Sequence, residues 1–372
     1  MKYCSKCILP DTRPHLTIGD DGICNACKNS VTKKVIDWEL RNQQFKEVVA
    51  NAKSKSKGHD CIIPVSGGKD STWQVLKCKE YGLRPLCVTW APWARTEIGR
   101  KNLKNLISLG VDHIDYSINP EVEKKFLYKA LTSKGIPGIP MHMAIFNIPA
   151  KIAVKFQIPL IIYGENSSFE YGSNDIATQG AQLTPQWYKD NGVTSGTTAE
   201  DWISEELTRS EMTPYFGPSK EEMAQNDFRA IFLGHYFQWD PQDVYAVAKK
   251  NGFENLVSGA KTGLYDFADI DDDFISVHHY LKWFKFGFTR TWDNLTQEIR
   301  NNRLTREEAV AHLQKIGEEL PKSDILKFCD YINISYAHFF DIAETFRNKN
   351  IWIKEGSKWK IKDFLIKDWN WK

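Results

Sequence analysis

No apolar run in the 372-residue chain approaches the roughly 18 residues that a membrane-spanning helix needs, because Asp, Lys or Arg interrupts every candidate stretch. The N-terminus also lacks the apolar core of a secretory signal. Both absences lead us to expect a cytoplasmic protein with no membrane partner. An excess of one charge is missing too, since 49 Lys and Arg balance 47 Asp and Glu to leave a net +2. That balance excludes a global pull towards nucleic acid or anionic lipid. No repeat or low-complexity tract stands out. Single cores stop growing at roughly 250–300 residues, so two or three units are expected. Aromatics are plentiful, but they suit cores, sugar stacking and interfaces alike and so decide nothing alone.

Cysteine is sparse but not scattered. Four of the eight form Cys4-x2-Cys7 and Cys24-x2-Cys27, with sixteen residues between the pairs. Without a secretion signal the thiols should be reduced, so such pairs read as metal ligands before disulfides. Two tight pairs of soft ligands suit tetrahedral Zn²⁺, and a closed shell of four implies a structural ribbon. Pro10, Pro14, Gly19 and Gly22 supply the turns. An iron–sulfur cluster is the lesser alternative, and His15 reads as a surface residue. Cys61, Cys78, Cys87 and Cys329 form no close pair, and Cys61 and Cys87 fall in apolar runs where Cys acts as a small hydrophobe.

Composition divides the chain into a ribbon (1–31), a polar helix and linker (32–57), an alternating α/β region (58–240) and a mainly helical remainder (241–372). The helix is expected over Thr32–Ala52, with a Lys/Ser-rich linker at Lys53–Gly58. Strands are expected at Asp60–Val65, Arg84–Trp90, His113–Ser117, Pro159–Gly164 and Arg229–Gly234. Helices are expected over Ser71–Tyr81, Gly99–Leu109 and Glu121–Phe156, the last broken at Gly135–Pro140. This alternation predicts a doubly wound parallel sheet. The polar insertion Ser167–Asp227 is either a substrate lid or a long surface loop. Asp240-Pro241 opens one later helix and Thr305–Glu308, a capping box, another. From Ile351 the tail alternates aromatics with Lys.

The central motif is Ser66-Gly67-Gly68-Lys69-Asp70-Ser71, set between the first strand and the helix after it. It is neither G-x-x-x-x-G-K-[ST] nor G-x-G-x-x-G. Helix N-termini beyond the carboxyl ends of parallel strands offer free N–H groups to anions. Gly67 and Gly68 let the backbone curl closely around a phosphate. Ser66 and Ser71 add hydroxyls and Lys69 adds charge. Asp70 would repel phosphate, so it braces the loop or meets Mg²⁺.

The motif resembles the SGGxDS loop of the ATP-pyrophosphatases, also called PP-loop or N-type pyrophosphatases, over about residues 58–240. The resemblance implies an adenine nucleotide alpha hydrolase-like fold and ATP cleaved between its α and β phosphates. It also implies Mg²⁺ as cofactor, adenine against Val88, Thr89 and Trp90, and a second turn at Gly164-Glu165-Asn166. Many relatives carry His and then Asp in that turn; this chain has Glu165 and, further on, Glu170.

A nearly full-length resemblance rests on Tyr3-Cys4-x-x-Cys7-Ile8-Leu9-Pro10-Asp11-Thr12-Arg13-Pro14, on Gly164-Glu165-Asn166 and Glu170-Tyr171-Gly172, and on His278-His279-Tyr280-Leu281-Lys282-Trp283-x-Lys285-Phe286-Gly287-Phe288. These segments are similar to the N-acetyl sugar amidotransferases of surface-polysaccharide and nonulosonic acid synthesis. That family implies an acetamido group converted to an acetamidino group through an adenylylated amide oxygen. Ammonia would come from a separate glutaminase with a cyclase-like companion. Asp70, Lys69, His279, Lys282 and Lys285 are then expected at the chemistry, with Glu170, Tyr171, His278 and Arg290 at the sugar. Spacing alone favours a plainer reading of the last segment, an amphipathic helix burying Leu281, Phe284 and Phe288. The acidic run Asp269–Asp273 reads as a solvated turn, with Mg²⁺ binding the lesser alternative. A tRNA-thiolating branch also carries a Cys ribbon. The lack of any Cys between Cys87 and Cys329, and of a basic domain, counts against it.

Overall fold

The structure, a computed structural model, describes all residues except 174, 220, 224–227 and 372. Five strands form its main sheet: β1 (Cys61–Pro64), β2 (Pro85–Trp90), β3 (Asp112–Tyr116), β4 (Leu160–Tyr163) and β5 (Arg229–Phe232). Their order is β3-β2-β1-β4-β5 and every pairing is parallel. Side chains alternate across the sheet, so Cys61 and Ile63 enter one core while Ile62 enters the other. Both faces are covered, which is why the central strands β1, β2 and β4 are continuous apolar runs rather than alternating ones, while the edge strand β3 carries exposed Asp. This is the doubly wound sheet that the alternation predicts. The strand order reverses between β1 and β4, and a ligand crevice is expected beyond their carboxyl ends.

On one face lie α2 (Trp38–Lys55), α3 (Lys69–Glu80) and α4 (Glu97–Ile107), whose Phe45, Trp73 and Leu103 bury against the strands. On the other lie α5 (Pro120–Lys134) and α6 (Ile139–Phe156). Gly135, left-handed at φ +60, ends α5, so the expected break falls where the Gly–Pro segment put it. The N-terminal helix departs from expectation. Instead of one helix over Thr32–Ala52 there are two, α1 (Asn25–Lys33) and α2, because Cys24 caps the first and Asp37 starts the second. The supposed linker is still helical to Lys55, where Lys53 and Lys55 favour the negative end of the helix.

The insertion is not a bare surface loop. Trp202 and Tyr215 bury against Phe126 of α5. Beyond β5 the chain is mainly helical, and the Trp/Lys tail forms an antiparallel hairpin, Trp352–Glu355 with Lys358–Ile361. Trp283 packs against Trp352, Trp369 and Trp371. That aromatic cluster is continuous with Cys4, Ile8, Leu9 and Cys27, so the ribbon and the C-terminal helices share one core. Among the described residues no helix is long and apolar enough to cross a membrane.

Candidate functional site

The loop after β1 turns sharply into α3. Gly67 adopts φ +90, and a Cβ there would lie 2.5 Å from the backbone nitrogen of Leu103, so no other residue fits. Gly68 is the N-cap of α3 and provides no side-chain cap, which leaves the first N–H groups of the helix to an anion. The hydroxyls of Ser71 and Thr72 both donate to the Gly68 carbonyl, at 3.0 and 3.1 Å, and hold the turn. Lys69, buried, reaches the Asp70 carboxylate at 2.5 Å, and the Trp239 indole donates to the other Asp70 oxygen at 2.9 Å.

Two cavities meet on this loop. The larger, about 440 Å³, lies beyond β1, β2 and β4 and is walled by Val88, Thr89, Trp90, Phe146, Tyr163 and Trp187. The Trp90 indole and the Asn191 amide are buried in it with no hydrogen-bond partner among the described residues. Orphaned buried donors of this kind need an acceptor from ordered water or a ligand. The smaller cavity, about 200 Å³, is bounded by Lys69, Tyr171, Tyr265, Arg290, Asn294 and Gln297. Ser66, Asp70, Glu165, Asp269 and Asp271 line both.

The acidic run is therefore not a solvated turn. Asp272 is buried, and an antiparallel bridge from Arg95 to Asp272 pins the run over the cleft. Asp269 sits at φ +56, a left-handed conformation that Asp tolerates at some cost, and Arg290 holds it at 2.9 Å. Burial pushes the Asp272 carboxyl up to about 7. Burial and then the neighbouring Asp70 do the same for Glu165, also to about 7.

The remaining residues picked from sequence separate into groups. Gly164 and Glu165 follow β4 at the cleft. The Asn166 side chain is fully used inside the fold: its amide donates to Thr178 and Gly180, and its oxygen accepts from Ser168 and Trp187. Glu170 is buried against Lys33 at 2.6 Å rather than facing a cavity, while Tyr171 lines the smaller one. Lys282 and Arg290 flank the buried Asp293, as does Arg13 from the ribbon, at 3.3, 3.9 and 2.9 Å. Burial opposes a charge on Asp293, yet these three cations hold its carboxyl well below the usual range. His279 is buried and His278 half-buried, each with Nδ1 unpartnered among the described residues, and desolvation drives both pKa values far down. His279 opens on a third cavity of about 230 Å³ that Arg290 also lines. Neither Lys282 nor Lys285 lines any of the three: Lys282 reaches Asp293, and Lys285 donates to the Lys134 carbonyl at the end of α5.

Trp187, Arg95, His142 and Asp271 join the site without any local signal in the sequence, because distant segments deliver them. The nearest to a signal was the density of the acidic run.

The four cysteines converge as their spacing predicts. All four sulfurs lie within 4.8 Å of one another, with Cys4–Cys27 at 4.0 Å and Cys7–Cys24 at 3.8 Å. Zn–S bonds of about 2.3 Å in a tetrahedron require sulfur separations of about 3.8 Å, so the donor set fits Zn²⁺. The buried Arg300 places Nη2 3.9 Å from the Cys24 sulfur, where it offsets thiolate charge.

Comparisons with known proteins add the following. Residues 262–365 match the family model described as LPS biosynthesis protein WbpG-like, C-terminal domain. No curated protein matches the chain. Among solved structures, NMN synthetase from Francisella tularensis is 11% identical, with a TM-score of 0.35, over 72% of this chain and 94% of that one. A predicted subunit of tRNA methyltransferase from Methanocaldococcus jannaschii is 14% identical, with a TM-score of 0.28, over 51% and 75%. Both scores are too low for these likenesses to bear on function.

Proposed function

We propose that this chain is an ATP-consuming enzyme of surface-glycan synthesis that converts an acetamido group of an N-acetyl sugar to an acetamidino group. The observation that carries this is the meeting of two cavities on one phosphate loop. ATP fits the larger, with adenine against Val88, Thr89 and Trp90. The acceptor fits the smaller, and the residues from Tyr265 to Gln297 that wall it fall inside the segment matching the LPS-biosynthesis family model.

An amide oxygen leaves poorly from carbon. Its attack on the α-phosphorus of ATP expels pyrophosphate and makes it part of a good leaving group. Ammonia then adds to the activated carbon, AMP departs with the oxygen, and one proton is given up. The loop N–H groups and Lys69 take the growing negative charge. Phosphate draws Lys69 away and thereby frees one Asp70 oxygen. Asp70 would hold Mg²⁺, which neutralises phosphate charge when bound. Arg290 lines the acceptor cavity, Lys282 is joined to it through Asp293, and His279 lines the neighbouring cavity that Arg290 also borders. The ammonia source would be a separate glutaminase with a cyclase-like companion, and the setting cytoplasmic.

The test is mass spectrometry of N-acetyl sugars, free or nucleotide-linked, incubated with enzyme, ATP and ammonium. Replacement of O by NH lowers the product mass by about one unit, with one AMP and one pyrophosphate per turnover. If no acetamido sugar elicits AMP with ammonium, the proposal fails.

A further inference from the structure

The ribbon meets the site through Arg13 at the buried Asp293 and along the segment 169–173, where it takes three of the five backbone acceptors. Arg13 donates to the Tyr171 carbonyl at 3.2 Å and lays its guanidinium 5.2 Å from the Tyr171 ring centre. The Asn25 amide donates to the Ser173 carbonyl at 3.1 Å, and the Asn29 amide to the Phe169 carbonyl at 3.0 Å. The Glu170 carbonyl goes to Arg300 at 2.7 Å, the same guanidinium that faces the Cys24 sulfur. Four of the five carbonyls in 169–173 thus depend on the ribbon or on the arginine beside it. The fit is close: Gly172 has φ +95, and a Cβ on it would lie 2.6 Å from the Asn25 oxygen.

The clamping side chains are tied to the cysteines by sequence and by capping. Cys24 caps α1 by accepting the Cys27 N–H, so Asn25 and Asn29 bracket a metal ligand on the first turns of one short helix. Lys33, at the end of that helix, adds its bond to the Glu170 side chain. Nine residues make a helix too short to persist in water by itself. Its place is therefore fixed by the thiolates at one end and by the docked segment along its side.

We infer that the metal-bound ribbon is a positioning device for the smaller cavity, with Arg13, Asn25 and Asn29 holding Tyr171 beside the phosphate loop. This rests on the proposed function only for what that cavity receives. The larger cavity has no ribbon residue in its wall, so loss of the Asn25 and Asn29 bonds should leave ATP binding nearly unchanged.

The experiment compares the intact chain with Asn25→Ala/Asn29→Ala, which keeps every cysteine, and with chain treated with a zinc chelator. Zinc content, binding of a fluorescent ATP analogue, and hydrogen exchange in peptides 167–173 and 69–80 are measured. We expect the double variant to keep its zinc and to bind the analogue within about twofold of the intact chain. Exchange in 167–173 should quicken about tenfold while 69–80 is unchanged. With an acetamido sugar as substrate, its KM should rise and kcat fall less. Chelated protein should show the same pattern, more strongly, or should unfold through the shared core; the double variant decides the case either way. Unchanged exchange in 167–173, or equal acceleration in both peptides, overturns the inference. If no sugar turns over but the exchange pattern holds, the proposed reaction fails and the positioning role stands.

Discussion

The Trp239 indole donates to the Asp70 carboxylate at 2.9 Å, which joins the phosphate loop after β1 to the segment after β5. The bond fixes which Asp70 oxygen can turn to a ligand, since Lys69 takes the other. Trp239→Phe removes this donor together with part of a buried ring that packs against Lys33 and Lys69. A hydrogen bond to a charged group is worth about 1.5–3 kcal/mol, so AMP formation should fall roughly ten- to hundredfold. Asp70→Ala should abolish it while the circular dichroism spectrum persists. Unaltered rates for both variants would remove Asp70 from the chemistry.

The Glu165 carboxyl, ordinarily at 4.5, is pushed up to about 7 by burial and by Asp70. Its sign is the reverse of a salt-bridged acid. Between pH 4.5 and 7 the folded chain binds the extra proton, so the carboxyl costs stability as pH rises through that window, and the full cost persists above it. Glu165→Gln should therefore melt with the native chain near pH 4 and roughly 2–5 °C above it at pH 8. Scanning calorimetry at both pH values checks this. A variant less stable at pH 8 would mean that Glu165 gains a cationic partner there.

Much of the fold was legible because its signals are local. Ile62, Ile63, Val88 and Ile161 lie in short apolar runs that only a sheet covered on both faces can bury, and Gly135 and Asp240 mark helix boundaries by backbone chemistry. The phosphate loop and the cysteines were legible for the same reason, each being a contiguous pattern. The site beyond them was not. Asp271 looked like part of a solvated turn because nothing in its neighbours reveals that Arg95, some 175 residues earlier, bridges the run down over the cleft. Lys285 is the converse case: a residue of the resembling segment whose side chain the helix turns towards Lys134 instead of a cavity.

The four cysteines sit in the core shared with the C-terminal helices, so the metal is expected to hold more than the first thirty residues. Cys24→Ser should release zinc and lower the melting temperature of the whole chain rather than of a minor first transition. Colorimetric zinc release alongside thermal unfolding tests this. A melting curve that survives zinc loss unchanged would rule out a structural ribbon.

Asp293 separates the two lysines of the resembling segment. It is 1% exposed and flanked by Arg13, Lys282 and Arg290, so removing it leaves three cations with one carboxylate, Asp269, between them. Breaking a buried ionic cluster by deleting one partner costs about 3–5 kcal/mol, and Asp293→Ala should reach that range. Lys282→Met removes a cation that burial already disfavours, and Arg13 and Arg290 still cover Asp293, so the stability loss should be smaller. Its turnover with an acetamido sugar should nonetheless fall at least tenfold, because Lys282 is joined through Asp293 to Arg290, which lines the acceptor cavity. Lys285→Met loses one hydrogen bond to a helix end, worth about 1 kcal/mol, and should leave turnover within about twofold. Denaturant unfolding and initial rates on the three variants separate these effects. Equal loss of turnover in both lysine variants would mean that Lys285 leaves the Lys134 carbonyl when substrate binds.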